Sequence, residues 1–136
     1  MKKQTKAKPL KYYKDRAMRV FSEYIRRKDA VDDMVACFTC GKVRHWKQMD
    51  CGHGIQGRGA YILFLEEICR PQCKQCNLAY PYGKNGNYSI FVPKLIRQYG
   101  VDQYDYWVAE DKKPLKRYKS DYQDIESYYS LRLSEL

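Results

Sequence analysis

Two Cys-x-x-Cys pairs are the residues of this chain whose chemistry is easiest to assign. Cys37 and Cys40 form the first pair, and Cys73 and Cys76 form the second. Each pair can supply two corners of a thiolate tetrahedron, so the four cysteines together predict a closed structural Zn²⁺ site. The alternative is that the pairs form disulfides or that one pair is redox-active. We disfavour it because no apolar export signal follows the basic start of the chain.

A polar motif lies between the two cysteine pairs and continues just after the second. Asp50 and His53 fall within residues 49–54, and Asn77 directly follows Cys76. Phosphodiester hydrolysis needs a base that activates water and oxygen ligands for a hard cation. We therefore predict a catalytic set in which His53 is the general base, and Asp50 and Asn77 bind Mg²⁺ or Mn²⁺. From spacing alone, the alternative that these are turn and helix-capping residues has about equal weight, and the zinc context favours the catalytic interpretation.

The charge of the chain points to a phosphate-rich partner. There are 26 Lys and Arg residues against 16 Asp and Glu, a net charge of +10, and the excess lies in the first 28 residues and the cysteine-rich centre. Such a basic surface is typical of proteins that bind the DNA backbone, although a solvated tail would have the same composition. The predicted DNA-binding side chains are Arg16, Arg19, Arg26, Arg27, Arg58, Arg70, Lys74 and Lys84.

The elements that must position these residues predict a small α+β fold. Residues 1–12 are expected to be a basic disordered arm, and residues 13–136 one zinc-containing domain. Within it, an apolar stripe predicts a helix over 13–31, whose members are Ala17, Val20, Phe21, Tyr24 and Ile25. The core, about 35–88, contains strand-like runs at 35–38 and 61–65. Helices are predicted over about 89–136: one ending at Gly100 with Pro93 in its first turn, one from Asp102, and one from Ser120 or Asp121.

Several motifs, taken together, resemble one family. They are Phe-x-x-Tyr-Ile-Arg-Arg-Lys-Asp at 21–29, Cys-Phe-Thr-Cys-Gly at 37–41, Asp-Cys-Gly-His at 50–53, Gly-Ala at 59–60, Gln-Cys-Lys-Gln-Cys-Asn at 72–77, Gly-Asn at 86–87 and Leu-Ile-Arg-x-Tyr-Gly at 95–100. This pattern resembles the NinG/Rap recombination endonucleases of lambdoid phages from about residue 17 to the C-terminus. The cysteine and catalytic motifs are also similar to the zinc-stapled His-Me finger (HNH-type) core of phage recombination endonuclease VII.

The resemblance implies a ββα-metal core flanked by helices, with Asp50 and Asn77 as metal ligands and His53 as the base. It implies Mg²⁺-dependent cleavage of branched DNA, such as Holliday junctions and D-loops, in the cytoplasm of a bacterial host. The chain departs from the family within 62–70, where the family's Arg, Asn and His are replaced at their positions, and at Gly54, where an aromatic residue is usual. These departures bear on substrate preference more than on cleavage.

Other interpretations and weaker candidates stay open at this point. The chain could be a non-catalytic zinc-knuckle module that binds nucleic acid, or an HNH nuclease that acts on linear duplex DNA. A two-fold symmetric junction would suit a homodimer, with the C-terminal stripe 122–136 as its interface or packed on its own domain. No apolar run predicts a membrane span. The weaker candidates are Glu66 and Glu67 as metal ligands, His45 as a metal or phosphate contact, and Cys51 and Cys69 as buried thiols or substitute zinc ligands.

Overall fold

The computed structural model describes residues 6–57 and 59–136. Within those ranges the elements are α1 (Leu10–Arg27), β1 (Met34–Ala36), β2 (Val43–His45), β3 (Met49–His53), α2 (Ala60–Leu63), β4 (Cys69–Cys73), α3 (Lys74–Asn77), α4 (Tyr88–Tyr99), α5 (Val101–Asp111) and α6 (Lys119–Ser134). Short 3₁₀ turns at Trp46–Gln48 and Glu66–Ile68 precede β3 and β4. The predicted α+β class is confirmed.

Helix α1 buries the predicted stripe against α6 and the β3–β4 pair. Ala17, Phe21, Tyr24 and Ile25 are buried, and the Phe21 ring meets the Tyr129 ring of α6 edge-on with centroids 4.9 Å apart. The C-terminal stripe therefore packs on its own domain, which is one of the two interpretations that the sequence left open; the other was a dimer interface. The described part of the chain has no helix long and apolar enough to cross a bilayer.

The predicted bounds of the first helix need correction. Residues 10–12, assigned to a disordered arm, are the first turn of α1, which follows Pro9. The helix ends at Arg27 rather than at residue 31, and Asp32 and Asp33 adopt left-handed backbone conformations with φ of 50° and 63° that turn the chain into β1. The start of the arm, residues 1–5, lies outside the described residues.

Two small antiparallel sheets carry the cysteine pairs and the polar motif. The β1–β2 hairpin pairs Ala36 with Val43, so Cys37 and Cys40 lie in its turn. In the second sheet, β3 runs antiparallel to β4, with Asp50 opposite Gln72 and His53 opposite Cys69. The predicted strand at 35–38 is thus present but shifted by one residue at its start.

The predicted strand at 61–65 is wrong, because most of that run forms the one-turn helix α2. The Asp111 carboxylate accepts a hydrogen bond from the Ile62 backbone N–H at 3.2 Å, and Arg117 donates to the carbonyl of Ala60. Asp111 and Arg117 are both remote from this run in sequence, so the residue pattern of 61–65 could not indicate these hydrogen bonds. A Cβ at Gly59, just before this turn, would lie 1.9 Å from Asp111 Oδ1, so a larger residue there would displace the Asp111 side chain.

Pro93 lies inside α4, not in its first turn as predicted, because α4 begins at Tyr88. The ring removes the N–H that would reach the Ser89 carbonyl, and Ser89 lies on the solvent side of the helix. Helix α5 begins at Val101 and α6 at Lys119, each one residue before the predicted capping residue.

Candidate zinc centre and active site

The four knuckle cysteines converge at one place. Their Sγ atoms all lie within 4.8 Å of one another, and those of Cys40 and Cys73 are 3.6 Å apart. Cys40 is exposed, whereas the other three side chains are buried in a small apolar cluster with Val35 and Met49. This convergence confirms that the two pairs form a single cluster that could bind a structural metal such as zinc.

The acid–base properties of these thiols fit a cation in their midst. Burial acts to raise the pKa of Cys37, but hydrogen bonds from the backbone of Cys73 and Cys40 and from the Thr39 side chain outweigh it and bring the pKa to about 6. Cys73 moves the other way, because burial and its thiol neighbours raise its pKa to about 12. The protein groups alone thus do not favour four thiolates together, and a bound Zn²⁺ would supply the compensating charge.

Asp50 is held between two side chains of α3. Lys74 Nζ lies 2.6 Å from Asp50 Oδ1, and Asn77 donates from Nδ2 to Asp50 Oδ2 at 3.1 Å. The backbone explains the proximity: Asp50 pairs with Gln72 across the sheet, and α3 begins two residues later. With the Asn77 amide nitrogen used in this hydrogen bond, its amide oxygen is the atom that could bind a cation.

His53 ends β3, and a backbone carbonyl sets its tautomer. Its Nε2 lies 3.1 Å from the Leu63 carbonyl oxygen. A carbonyl can only accept, so Nε2 carries the proton and Nδ1 keeps its lone pair. Burial lowers the pKa of His53 below 6.5, and the carbonyls of Leu63 and Cys51 offset this only in part. The imidazole is therefore neutral at pH 7.

A cavity of about 300 Å³ joins His53 to Asn77. Its lining residues are Lys14, His53, Gly57, Gly59, Ile62, Leu63, Asn77 and Tyr88. Asn77 thus lines the same cavity as His53, and it also bonds to Asp50, which is not among the lining residues. Of the three predicted catalytic residues, Asp50 contacts Asn77 directly, and His53 shares the cavity with Asn77.

Close packing explains one departure from the resemblance, the glycine after His53. A Cβ on Gly54 would lie 2.2 Å from Leu95 Cδ1 and 2.8 Å from the Phe91 ring. No aromatic side chain fits at position 54 while α4 packs there.

The predicted DNA-binding residues fall into different environments. Arg16 makes three hydrogen bonds to the Glu126 carboxylate, at 2.8–3.1 Å, and so joins α1 to α6. Arg70 donates to the carbonyls of Glu67 and Cys69, and to Gln98 and the Tyr99 hydroxyl in α4. These contacts give both guanidinium groups structural roles that their positions in the sequence did not indicate.

The other predicted basic residues are more available. Arg26 and Arg27 lie over the Trp46 ring at about 5 Å, while Arg19 and Lys84 are exposed. Arg58 lies outside the described residues. DNA binding by these side chains stays a prediction.

Three weaker candidates also have positions in the structure. Glu66 accepts a hydrogen bond from the Tyr129 hydroxyl at 2.9 Å, which ties it to α6, and Glu67 is exposed. His45 accepts from the Lys47 N–H at 3.1 Å in the turn after β2. No cluster of three or more possible His, Cys, Asp or Glu ligands in the described ranges includes any of these residues.

Sequence reasoning missed the residues that orient the predicted set. Lys74 was considered a phosphate contact, but in the structure it is the ion-pair partner of Asp50. The Leu63 carbonyl has no sequence signal, because any residue could supply it. Lys14, on α1, reaches the His53 cavity although it was assigned no role.

The fold and the site define a small α+β protein with a four-cysteine cluster beside a polar cavity. The profile of the family described as "Bacteriophage Lambda NinG protein" matches residues 1–136. The chain therefore belongs to the bacteriophage lambda NinG family. Searches of curated proteins and of solved structures gave no match.

Proposed function

We propose that this protein is a metal-dependent DNA endonuclease whose base is His53. One observation carries the proposal: Asn77 bonds to Asp50 and lines the same cavity as His53. Oxygen ligands for a hard cation are thus linked, through Asn77, to the cavity that contains a neutral imidazole. The β3–β4 pair followed by α3 has the element order of the ββα-metal core that the resemblance implies, although α3 is only one turn long.

His53 would act as the general base through Nδ1. The bond from Nε2–H to the Leu63 carbonyl fixes the ring and leaves Nδ1 as the proton acceptor. The lowered pKa keeps the imidazole unprotonated at neutral pH, which is the form that can take a proton from water.

Asp50 and Asn77 would hold the catalytic cation. A carboxylate and an amide oxygen are ligands that Mg²⁺ and Mn²⁺ accept, so the donor set fits. When bound, such an ion would neutralise charge on the scissile phosphate and the leaving oxygen. Lys74 also contacts the Asp50 carboxylate at Oδ1. A cation that bound this oxygen would have to displace the Lys74 ammonium group from it.

A basic groove next to this site supports DNA as the substrate. It has a volume of about 440 Å³ and is lined by Lys42, Arg44, Lys47, Gln48, Cys73, Lys74 and Gln75. Because Lys74 lines the groove and also contacts Asp50, a DNA backbone held there would pass beside the site. Membership of the NinG family and the resemblance above support branched DNA formed during phage recombination as the substrate class.

The test is cleavage of an end-labelled four-way junction and of a linear duplex with the same arm sequence, with and without Mg²⁺. We expect cleavage of the junction in Mg²⁺ and a loss of about 10²- to 10⁴-fold in His53→Ala, with junction binding retained. His45→Ala is the matched control, because His45 is the other of the two histidines and lies on β2.

Each other outcome has its own meaning. Equal cleavage of junction and duplex would keep the chemistry and overturn the substrate class. Binding of both substrates without cleavage by the wild type would favour the non-catalytic zinc-knuckle module.

A further inference from the structure

A second group of metal-ligand side chains lies on the β3–β4 sheet, apart from the four-cysteine cluster. It consists of Cys51, His53 and Cys69, whose sulfur and ring-nitrogen ligand atoms all lie within 4.8 Å of one another. The strand register explains the convergence. His53 is directly opposite Cys69, and Cys51 is two residues before His53 and so on the same face of β3.

The two cysteine groups have separate surroundings. Cys69 belongs to the main core, which also contains Ile25 and Phe91, and Cys51 packs against that core. Cys73 and Cys76 belong instead to the small cluster with Val35 and Met49. An ion at Cys51 and Cys69 would therefore not be shared with the first site.

The chemistry of the donors selects a different kind of ion from the one proposed at Asp50. Two thiolates and an imidazole suit thiophilic ions such as Zn²⁺ or Cd²⁺, whereas Mg²⁺ prefers the oxygens of Asp50 and Asn77. Three protein ligands leave one position of a tetrahedron for water. Cys69 is fully buried, but Cys51 and His53 are partly exposed, and His53 borders the 300 Å³ cavity, which gives an ion a path inward.

We propose that Cys51, His53 and Cys69 form a second, inhibitory site for a thiophilic metal ion. Neutral imidazole has one nitrogen lone pair, and an ion bound to it removes the pair that would accept the proton of water. Binding at the site is independent of the nuclease proposal, whereas the inhibitory effect rests on it. A thiophilic metal ion bound there thus stops cleavage without displacing Mg²⁺.

The binding test uses the full chain, already loaded at the four-cysteine site with one equivalent of Zn²⁺. Cd²⁺ is titrated in, and Zn²⁺ and Cd²⁺ are both counted per chain by metal analysis after gel filtration, because Cd²⁺ that replaces Zn²⁺ at the four-cysteine site leaves the total unchanged. We expect a second ion per wild-type chain, and an affinity for it reduced about tenfold or more in Cys51→Ser. His45→Ala is the control and keeps the second ion. Cys51 is chosen because it is partly exposed, whereas replacing the buried Cys69 could prevent folding.

Two results would overturn the site: a wild type that takes up no second ion, or a Cys51→Ser variant that binds it with unchanged affinity. The activity arm adds Cd²⁺ to the Mg²⁺-dependent junction assay. Inhibition is expected in the wild type and weaker in Cys51→Ser, with DNA binding unchanged. If the wild type binds the second ion but does not cleave DNA in Mg²⁺ even when no Cd²⁺ is present, the nuclease proposal is refuted. The metal site is then still supported.

Discussion

Asn77 donates a hydrogen bond from Nδ2 to Oδ2 of Asp50, across 3.1 Å between the end of α3 and the middle of β3. Along the chain the two residues are separated by the rest of β3, by α2, by β4 and by most of α3. Their contact is the point at which the zinc knuckle and the candidate active site meet, because α3 also carries Cys76.

Replacing Asn77 by Ala should impair cleavage through the cation. The change removes the amide oxygen as a ligand and frees Asp50 on one side, while Lys74 still holds the other. We expect junction cleavage to fall by about 10²-fold, of the order typical for one active-site group, and the Mg²⁺ dependence to shift to higher concentration. Cleavage rates measured across a Mg²⁺ series test this. Unchanged Mg²⁺ dependence at a reduced rate would argue against Asn77 as a ligand.

Lys74→Met should have the opposite effect on cation binding. The Lys74 ammonium competes for Asp50 Oδ1, but 58% of the lysine side chain is exposed, so the pair contributes only about 0.2–1 kcal/mol. Its removal should tighten Mn²⁺ binding by up to about fivefold, as measured by calorimetry. Lys42→Met is the control, since Lys42 lies in the same groove and bonds to Gln75 at 2.7 Å. Weaker Mn²⁺ binding in Lys74→Met would refute the competition.

The lowered pKa of His53 predicts how stability depends on pH. The unfolded chain takes up a proton near pH 6.5, whereas the folded chain does so only at lower pH, because burial disfavours the imidazolium. The unfolded state therefore binds more protons between these two values. The free energy of unfolding should fall as the pH drops from 6.5 through the lowered pKa, and its His53 component should level off below that pKa.

Urea unfolding of the wild type and His53→Gln at a series of pH values measures this component. The difference between the two proteins should change across that interval and become constant only well above pH 6.5, where the unfolded chain has also lost the proton. A pH-independent difference would mean that the folded-state pKa of His53 is not lowered. For the same reason, cleavage should continue at pH values below 6.5, where an unperturbed histidine would be more than half protonated.

Local patterns were sufficient to predict one part of this fold and not the other. The α1 stripe and the four-cysteine cluster depend on spacing within short segments, so helical periodicity and ligand chemistry predicted them. Helix α2 depends on Asp111 and Arg117, which cap it from about 50 residues away. The tautomer of His53 depends on the Leu63 backbone carbonyl, and the role of Arg16 depends on Glu126 in α6. Such long-range partners are fixed by tertiary packing, and a single sequence does not reveal them.

Metal removal should unfold the zinc knuckle before the helical core. The apolar cluster around the first site contains little besides the cysteines, Val35 and Met49, whereas α1, α4 and α6 share a separate core. A structural Zn²⁺ site can contribute about 10–16 kcal/mol in small domains, more than this cluster could replace. Chelation should thus abolish amide protection in β1 and β2 and retain most helical circular dichroism.

Cys40→Ser should reproduce this behaviour, because Cys40 is the exposed ligand, and Cys51→Ser should not. Hydrogen exchange by mass spectrometry distinguishes the two. Retained protection of the β1–β2 hairpin in chelated protein would show that the cysteine cluster does not depend on a metal.

The buried contact between Gly52 and Gln72 gives a sharp test of packing in the second sheet. A Cβ at position 52 would lie 2.4 Å from Gln72 Oε1, and Gln72 cannot easily move, since its Nε2 bonds to the Gly86 carbonyl at 2.7 Å and to Thr39 at 3.1 Å. Gly52→Ala should lower the free energy of unfolding by about 1–3 kcal/mol. Gln72→Ala should also be destabilising, because it leaves the Gly86 carbonyl without its partner.

The double variant separates the clash from the loss of hydrogen bonds. With Gln72 shortened, the new methyl group has room, so the two substitutions together should cost at least about 1 kcal/mol less than the sum of the single costs. Urea unfolding of all four proteins completes the cycle. If the two single losses of unfolding free energy simply added in the double variant, a side chain at position 52 would not touch Gln72. The close approach between β3 and the Gln72 side chain would then be refuted.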